Sequence, residues 1–430
     1  MSITLVILHI ALFSVITYRY TQVIREEPLG KVFVWAVRYK ILAGVALGIL
    51  YKIYYNGGGD TYVMFHEASQ LAQLVLAQPD AYWRVQLLNE LTHLSKGAFV
   101  LLEQPRAFFM VKLLSVLCFL TGNNYWLTSF YLSGFSAWGM WLIANTLVKD
   151  YQSHRLAVSI AFLFFPSFVF WSAGVSKESV LIGCLGLSVH HFLKAYKRKR
   201  VRWVSVMIWL VAFYIIWRLK YYYAATLFPV LLSLGLTTFL VERSRLSNKW
   251  LQGLLFLGIW SGLLLVATWL HPNLRLNGIV EALYQNHQTM LQASHPKSIL
   301  LYDFIPTWQS VFYNMPKALF NGLYRPFFWE GYHFFYVWFG IENAFLFLIT
   351  VGALYFTLRR FSFAEPLLVV ATLGYVVLLA IFIGLSSPNF GSLARYKVGY
   401  GMFFLYICLA SYPNKYLSLW KRFRDNSSTP

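Results

Sequence analysis

Long apolar runs broken by short polar, mostly basic turns dominate the chain from one end to the other. The runs fall at 2–18, 33–55, 125–147, 156–173, 179–196, 203–219, 222–241, 250–270, 333–357, 367–386 and 397–413. Each is close to the ~20 residues that a helix needs to cross a hydrocarbon core. With no water in that core, a spanning segment must satisfy its backbone groups internally, so the runs read as helices. The basic turns are Arg19 to Lys40, Lys149/Arg155, KRKRVR at 197–202, ERSRLSNK at 242–249, Arg359/Arg360 and the tail from Lys415. Placing them all on the cytoplasmic side predicts an all-α, polytopic transmembrane bundle of about eleven spans, N-terminus outside and C-terminus cytoplasmic. The whole of 1–430 then forms one integral membrane domain.

Two stretches do not fit the alternation. Residues 56–124 and 271–331 form long external loops with mixed helical patterning, predicted to carry interfacial helices. The apolar segment at 107–120 is the test of parity: if it crossed the bilayer, the basic clusters at Lys149/Arg155 and 197–202 would both fall outside. It is also short and carries Lys112, so it reads as interfacial or re-entrant.

Composition sharpens the class. With 58% hydrophobic and 12% charged residues and a mean hydropathy of +0.56, a soluble globule is excluded. The net charge of +20 would suggest nucleic acid in a soluble protein, but here most of it is absorbed by cytoplasmic loops, and no nucleic-acid partner is implied. Cys118, Cys184 and Cys408 all lie in apolar runs, so neither a disulfide framework nor a metal cluster is indicated. No P-loop or Rossmann fingerprint occurs. The glycines at 57–59 follow a span rather than a strand.

Candidate chemistry concentrates outside the membrane. In YYNGGGDTYVMFHE, the loop glycines Gly57, Gly58 and Gly59 let the chain leave a helix and deliver Asp60 at the bilayer surface, with Glu67 about two turns further on and able to share its face. Glu178 follows Lys177 in the short turn GVSKES. The remaining non-cytoplasmic cations are Arg218 and Lys220 in WRLKYYY, Arg325 in LYRPFFWE beside Glu330, and Arg395 in NFGSLARYK, with Glu342 in FGIEN. Ionisable groups beside apolar runs are expensive unless they pair, line a wet cavity or bind a charged ligand. Acids facing clustered Lys and Arg suit group transfer from a membrane-borne phosphate: a carboxylate takes the acceptor's proton, and cations stabilise the leaving phosphate.

The order of these features resembles the membrane-embedded GT-C glycosyltransferases. It has an acid in the first external loop, an interfacial helix closing in TGNN at 121–124, a span, a basic turn, and FFPSFVFWSAGVSKES with Pro166 and Ser167 before a second acid. The resemblance covers roughly 40–200, and LYRPFFWE and LARYK are similar to turns in bacterial polysaccharide-assembly membrane proteins. It implies that Asp60 and Glu178 are catalytic, with Glu67 beside them, and that Lys177, Arg218, Lys220, Arg325 and Arg395 hold the substrate phosphate. It further implies a polyprenyl-phosphate or -diphosphate sugar donor, a glycan, lipid or protein acceptor, and inverting transfer on the external face of a bacterial inner membrane during envelope polysaccharide assembly. No cofactor is called for; a divalent cation is compatible but not indicated. The chain departs from that pattern in an extra span before the acidic loop and in GGGD replacing an acidic pair. An O-antigen-type polymerase or ligase, leaning on the arginines, and a lipid-linked glycan transporter are the other two readings.

Overall fold

In the computed structural model, residues 3–54, 58–90, 99–292, 294–295, 303–330, 334–359 and 365–413 are described. Their regular structure is helical. In chain order the helices are α1 (Ile3–Val23), α2 (Gly30–Tyr54), α3 (Gly59–Ala77), α4 (Pro79–Leu88), α5 (Pro105–Leu120), α6 (Tyr125–Asp150), α7 (Arg155–Ser159), α8 (Pro166–Trp171), α9 (Lys177–Arg198) and α10 (Trp203–Ser244). There follow α11 (Lys249–Ala267), α12 (Leu276–Gln292), α13 (Trp308–Tyr324), α14 (Phe334–Arg359), α15 (Pro366–Ser386), α16 (Phe390–Tyr396) and α17 (Val398–Ala410). The protein is therefore an all-α polytopic helical bundle. Six described helices, α1, α2, α10, α11, α14 and α15, are long and apolar enough to cross a membrane.

Several expected spans take a more broken form than their hydropathy suggests. The segment α10 is two helical stretches joined across a kink. It covers two of the expected spans, and its backbone leaves helical geometry at Lys220 (φ −151°, ψ 80°). The run at 156–173 is split into α7, a π-helical turn at Ile160–Phe164 and α8. Phe165 is extended there (ψ 117°), the conformation that a following proline imposes. Between α5 and α6 the chain bends by 114°. TGNN makes that bend: Gly122 and Asn123 take φ of 60° and 56°, and Asn124 caps α6 by accepting from the Leu127 N–H at 2.9 Å.

The chain forms two compact units. The first comprises Met1–Tyr151, Val169–Ala195 and Arg200–Tyr221, and the second Gln152–Phe168, Tyr196–Lys199 and Tyr222–Pro430. In the first unit, α3 packs along α5 and α2 along α6. Small residues allow backbones to meet, as lipid-embedded helices require: a Cβ on Gly139 of α6 would lie 2.5 Å from the Gly183 carbonyl oxygen of α9, and one on Gly44 of α2 would lie 3.0 Å from the Gly174 nitrogen. In the second unit, α15 is central and packs on α12, α13 and α17. Gly322 of α13 lies against Ala380, and Gly384 of α15 against Ala318. Helix α12 is amphipathic and buries Val280, Leu283 and His287 on the face that meets α15. By contrast, α1 buries no residue within the chain and leaves most of its apolar surface exposed.

Candidate functional site

Helix α3 starts at Gly59, whose φ of +75° is open to glycine and strained for a side chain. Gly58 holds the N-cap position, and Gly57 lies outside the described residues. Asp60 follows in the first turn of α3 and is exposed, where a carboxylate is favoured by the helix dipole. Glu67 has a different environment. It is 3% exposed, and its Oε1 accepts from the backbone N–H of Leu101 at 2.9 Å. The two acids share one helix, but one faces out and the other is used to hold the following loop.

Glu178 sits in the first turn of α9 and is also buried. Its Oε1 accepts from Lys220 Nζ at 2.7 Å, with side-chain exposures of 3% and 6%. Lys220 is the residue at which α10 loses helical geometry. Bringing two charges out of water costs several kcal/mol each, so such a pair survives only with good geometry. The turn that leads into α9 is tied down by hydrogen bonds. Gly174, at φ +65°, donates its N–H to Ser133 Oγ at 2.9 Å, and Ser176 Oγ accepts from the Ser179 N–H at 3.1 Å. Lys40 of α2 reaches this turn, donating to Ser172 Oγ at 2.5 Å. The basic loop expected to contain Lys40 is therefore shorter than hydropathy suggested: Lys31, Arg38 and Lys40 all lie within α2, and Lys40 is 4% exposed.

The other predicted cation of the first unit, Arg218, is half-buried. Its Cζ lies 5.0 Å from the centre of the Phe109 ring and 5.9 Å from that of Tyr214. Two residues not among the predicted site residues belong to the same cluster. Arg106 lies 5.4 Å over the ring of Tyr221, and Lys112 lies 5.7 Å over that of Phe108. Lys112 Nζ also donates to Asn89 Oδ1 at 2.5 Å and to the Gln86 carbonyl at 3.0 Å. The spacing 106–109–112 on α5 and 214–218–221 on α10 was the available signal, because residues three or four apart share a helix face. Lys177 is half-buried beside Glu178 at the start of α9.

In the second unit, Arg325 grips Glu330. Its Nε donates to Oε2 at 3.0 Å, its Nη2 donates to Oε1, and Oε2 also accepts from the Phe327 N–H at 2.8 Å. Lys397, buried at the start of α17, supports that turn by donating to the Arg325 carbonyl at 3.1 Å and to Asn343 Oδ1 at 2.9 Å. Asn343 in turn donates to the Pro326 carbonyl at 2.7 Å. Glu342 accepts from the N–H of Ser167 at 3.0 Å and from its hydroxyl, so it caps the start of α8. Arg395 lies 5.2 Å over the ring of Tyr396.

The structure thus brings together Glu178 and Lys220 at the α9–α10 contact, with Lys177 next to Glu178 in sequence, and places Arg218 against the α5 face that carries Phe109, near Arg106 and Lys112. In the second unit Arg325 follows α13 and Arg395 lies in the last turn of α16, and the two stretches meet where Lys397 donates to the Arg325 carbonyl. Among the described residues no group of three or more His, Cys, Asp or Glu side chains could hold a metal. No protein family, curated protein or solved structure matches this chain.

Proposed function

We propose that this protein is an integral membrane glycosyltransferase that moves a sugar from a polyprenyl-linked phosphate or diphosphate carrier to a glycan, lipid or protein acceptor in cell-envelope polysaccharide assembly. The observation that carries this reading is the buried Glu178–Lys220 pair at the break in α10. A broken helix exposes backbone groups and charged side chains at membrane depth, a costly arrangement that membrane proteins keep for handling a polar ligand. Lys220 holds the carboxylate of Glu178 in place at the start of α9, where it can orient the sugar's departing phosphate through Lys177. Asp60, exposed on the first turn of α3, is the group able to accept the acceptor's proton. In this reading the site faces the external side of a bacterial inner membrane, and no cofactor takes part.

The test is Asp60→Asn and Glu178→Gln at matched membrane levels, reading accumulation of the unextended lipid-linked precursor. Asn keeps the capping and size of Asp but cannot act as a base, so a loss of about 10²-fold or more is expected. Glu178→Gln is expected to cost less. Normal product with both variants would overturn the transferase reading. The O-antigen-type polymerase or ligase, which leans on Arg218, Arg325 and Arg395, then becomes the leading alternative.

A further inference from the structure

The face of α5 that carries Arg106, Phe109 and Lys112 meets the face of α10 that carries Tyr214, Arg218 and Tyr221, and cations alternate with rings across the contact. Arg106 covers Tyr221 and Arg218 covers Phe109, while Phe109 and Tyr214 meet edge to face with centroids 6.0 Å apart. The two helices therefore run past each other in opposite register, with 106, 109 and 112 facing 221, 218 and 214. Arg106 and Lys112 are six residues, about 9 Å, apart along α5, and the Phe109 ring between them in sequence lies under Arg218.

Among the described residues no acid forms an ion pair with that strip of cations. Of the sixteen acids in the sequence, only Asp425 falls outside the described residues. The ion pairs found run from Glu27, Glu365, Glu242, Glu178 and Glu330 to Lys149, Lys197, Lys199, Lys220 and Arg325. The ring contacts are the whole of the interactions found for Arg106 and Arg218. Lys112 adds only neutral partners, Asn89 and the Gln86 carbonyl. Three like charges held together against aromatic rings repel one another, and an anion relieves that repulsion. The strip is reachable at its two arginines: Arg106 is exposed, Arg218 half-buried and Tyr214 53% exposed, whereas Lys112 is buried. Arg106 stands in the first turn of α5, where the helix dipole disfavours a cation and favours an anion.

We propose that this strip binds the diphosphate of a membrane lipid, so that the sugar carrier is a polyprenyl diphosphate rather than a monophosphate. The proposal rests on the transferase reading above and names its substrate class. Charge matching decides between the two carriers. A sugar on a lipid monophosphate is a phosphodiester with about one negative charge, whereas a lipid diphosphate brings about two as donor and up to three once the sugar has left. Two guanidinium forks, each able to take two oxygens of a phosphoryl group in parallel, suit two adjacent phosphates. The exposed Tyr214 ring and the apolar flank of α5 provide surface for the first isoprene units.

Binding of farnesyl diphosphate and farnesyl phosphate to the purified full-length protein in nanodiscs of a zwitterionic lipid tests this without any transfer step. The diphosphate is expected to bind at least about tenfold more tightly. Arg106→Gln and Arg218→Gln are each expected to remove that preference with an unchanged melting temperature, and Arg218→Lys to restore it poorly, while Arg275→Gln, a change at an exposed arginine of the second unit, leaves it intact. Equal affinity of the wild-type protein for the two lipids overturns the proposal, as does a diphosphate preference that survives both glutamine variants. Inorganic diphosphate binding as tightly as the farnesyl ester would show a free anion site and overturn the lipid assignment. Selective binding together with normal product from Asp60→Asn and Glu178→Gln would remove the transferase reading and keep the site.

Discussion

Arg218 and Arg325 follow similar aromatic residues in sequence, WRLK and LYRP, and both sit at the end of an apolar helix or at its break. Their surroundings are opposite. Arg325 is clamped by Glu330, a carboxylate five residues away that also takes the Phe327 N–H. Lys397 and Asn343 then fix the turn from behind. Its charge is committed to holding a chain reversal. Arg218 meets aromatic rings and no acid, so its charge is available to a ligand. Counting arginines at turns, as sequence reading does, treats the two alike. What separates them is whether an acid is folded back within reach.

Lys220→Met should have the largest effect on this contrast. It leaves Glu178 buried without its partner, which costs about 3–5 kcal/mol in comparable buried pairs, and the double variant Lys220→Met/Glu178→Leu should recover most of the loss. Thermal melting in detergent micelles measures both. If the single and double variants melt together, Glu178 is not held by Lys220.

Glu330→Gln should destabilise next, by about 2 kcal/mol, because it strips a charge-assisted bidentate contact from Arg325. Arg218→Gln should shift stability by no more than about 0.5 kcal/mol, as expected where no acid partner is lost. Equal losses from the two changes would erase the distinction between a committed and an available arginine.

The smallest effect concerns Glu27, in the loop between α1 and α2. Burial raises its carboxyl, but hydrogen bonds from Lys149 and Asn145 outweigh this and hold it below its ordinary value of 4.5. A carboxyl with a lowered folded-state pKa stabilises the protein above its ordinary value, and loses that contribution as pH falls through the lowered one. The melting temperature of the wild type should therefore fall faster below pH 4.5 than that of Glu27→Gln. Parallel pH profiles would show that the Lys149 contact adds nothing measurable, as for many exposed pairs.

Much of the architecture was legible along the chain. The apolar runs marked helices because lipid leaves no other way to satisfy a backbone, and TGNN marked a sharp bend because glycine and asparagine tolerate positive φ. The short span before Pro166 was also visible, though not its division into α7, a π-helical turn and α8, which depends on the packing of that segment against α17. The charge of Lys40 marks a basic turn in the sequence, yet the helix continues through it, and its ammonium donates a hydrogen bond to Ser172 Oγ, far along the chain.

The sequence alone determined that this is an all-helical, multi-pass protein with charges gathered at a few breaks, since hydropathy and local backbone preference act over a handful of residues. Only the tertiary structure decided which charges are spent. Glu178 meets Lys220 across 42 residues, and Glu67 turns inward to Leu101 while Asp60 on the same helix stays outside. Arg106 joins Arg218 only because α5 and α10 pass each other in opposite register. The physical reason is that a Coulomb or hydrogen-bond contact in a low-dielectric interior is decided by a few ångströms of separation, and no local pattern encodes that distance.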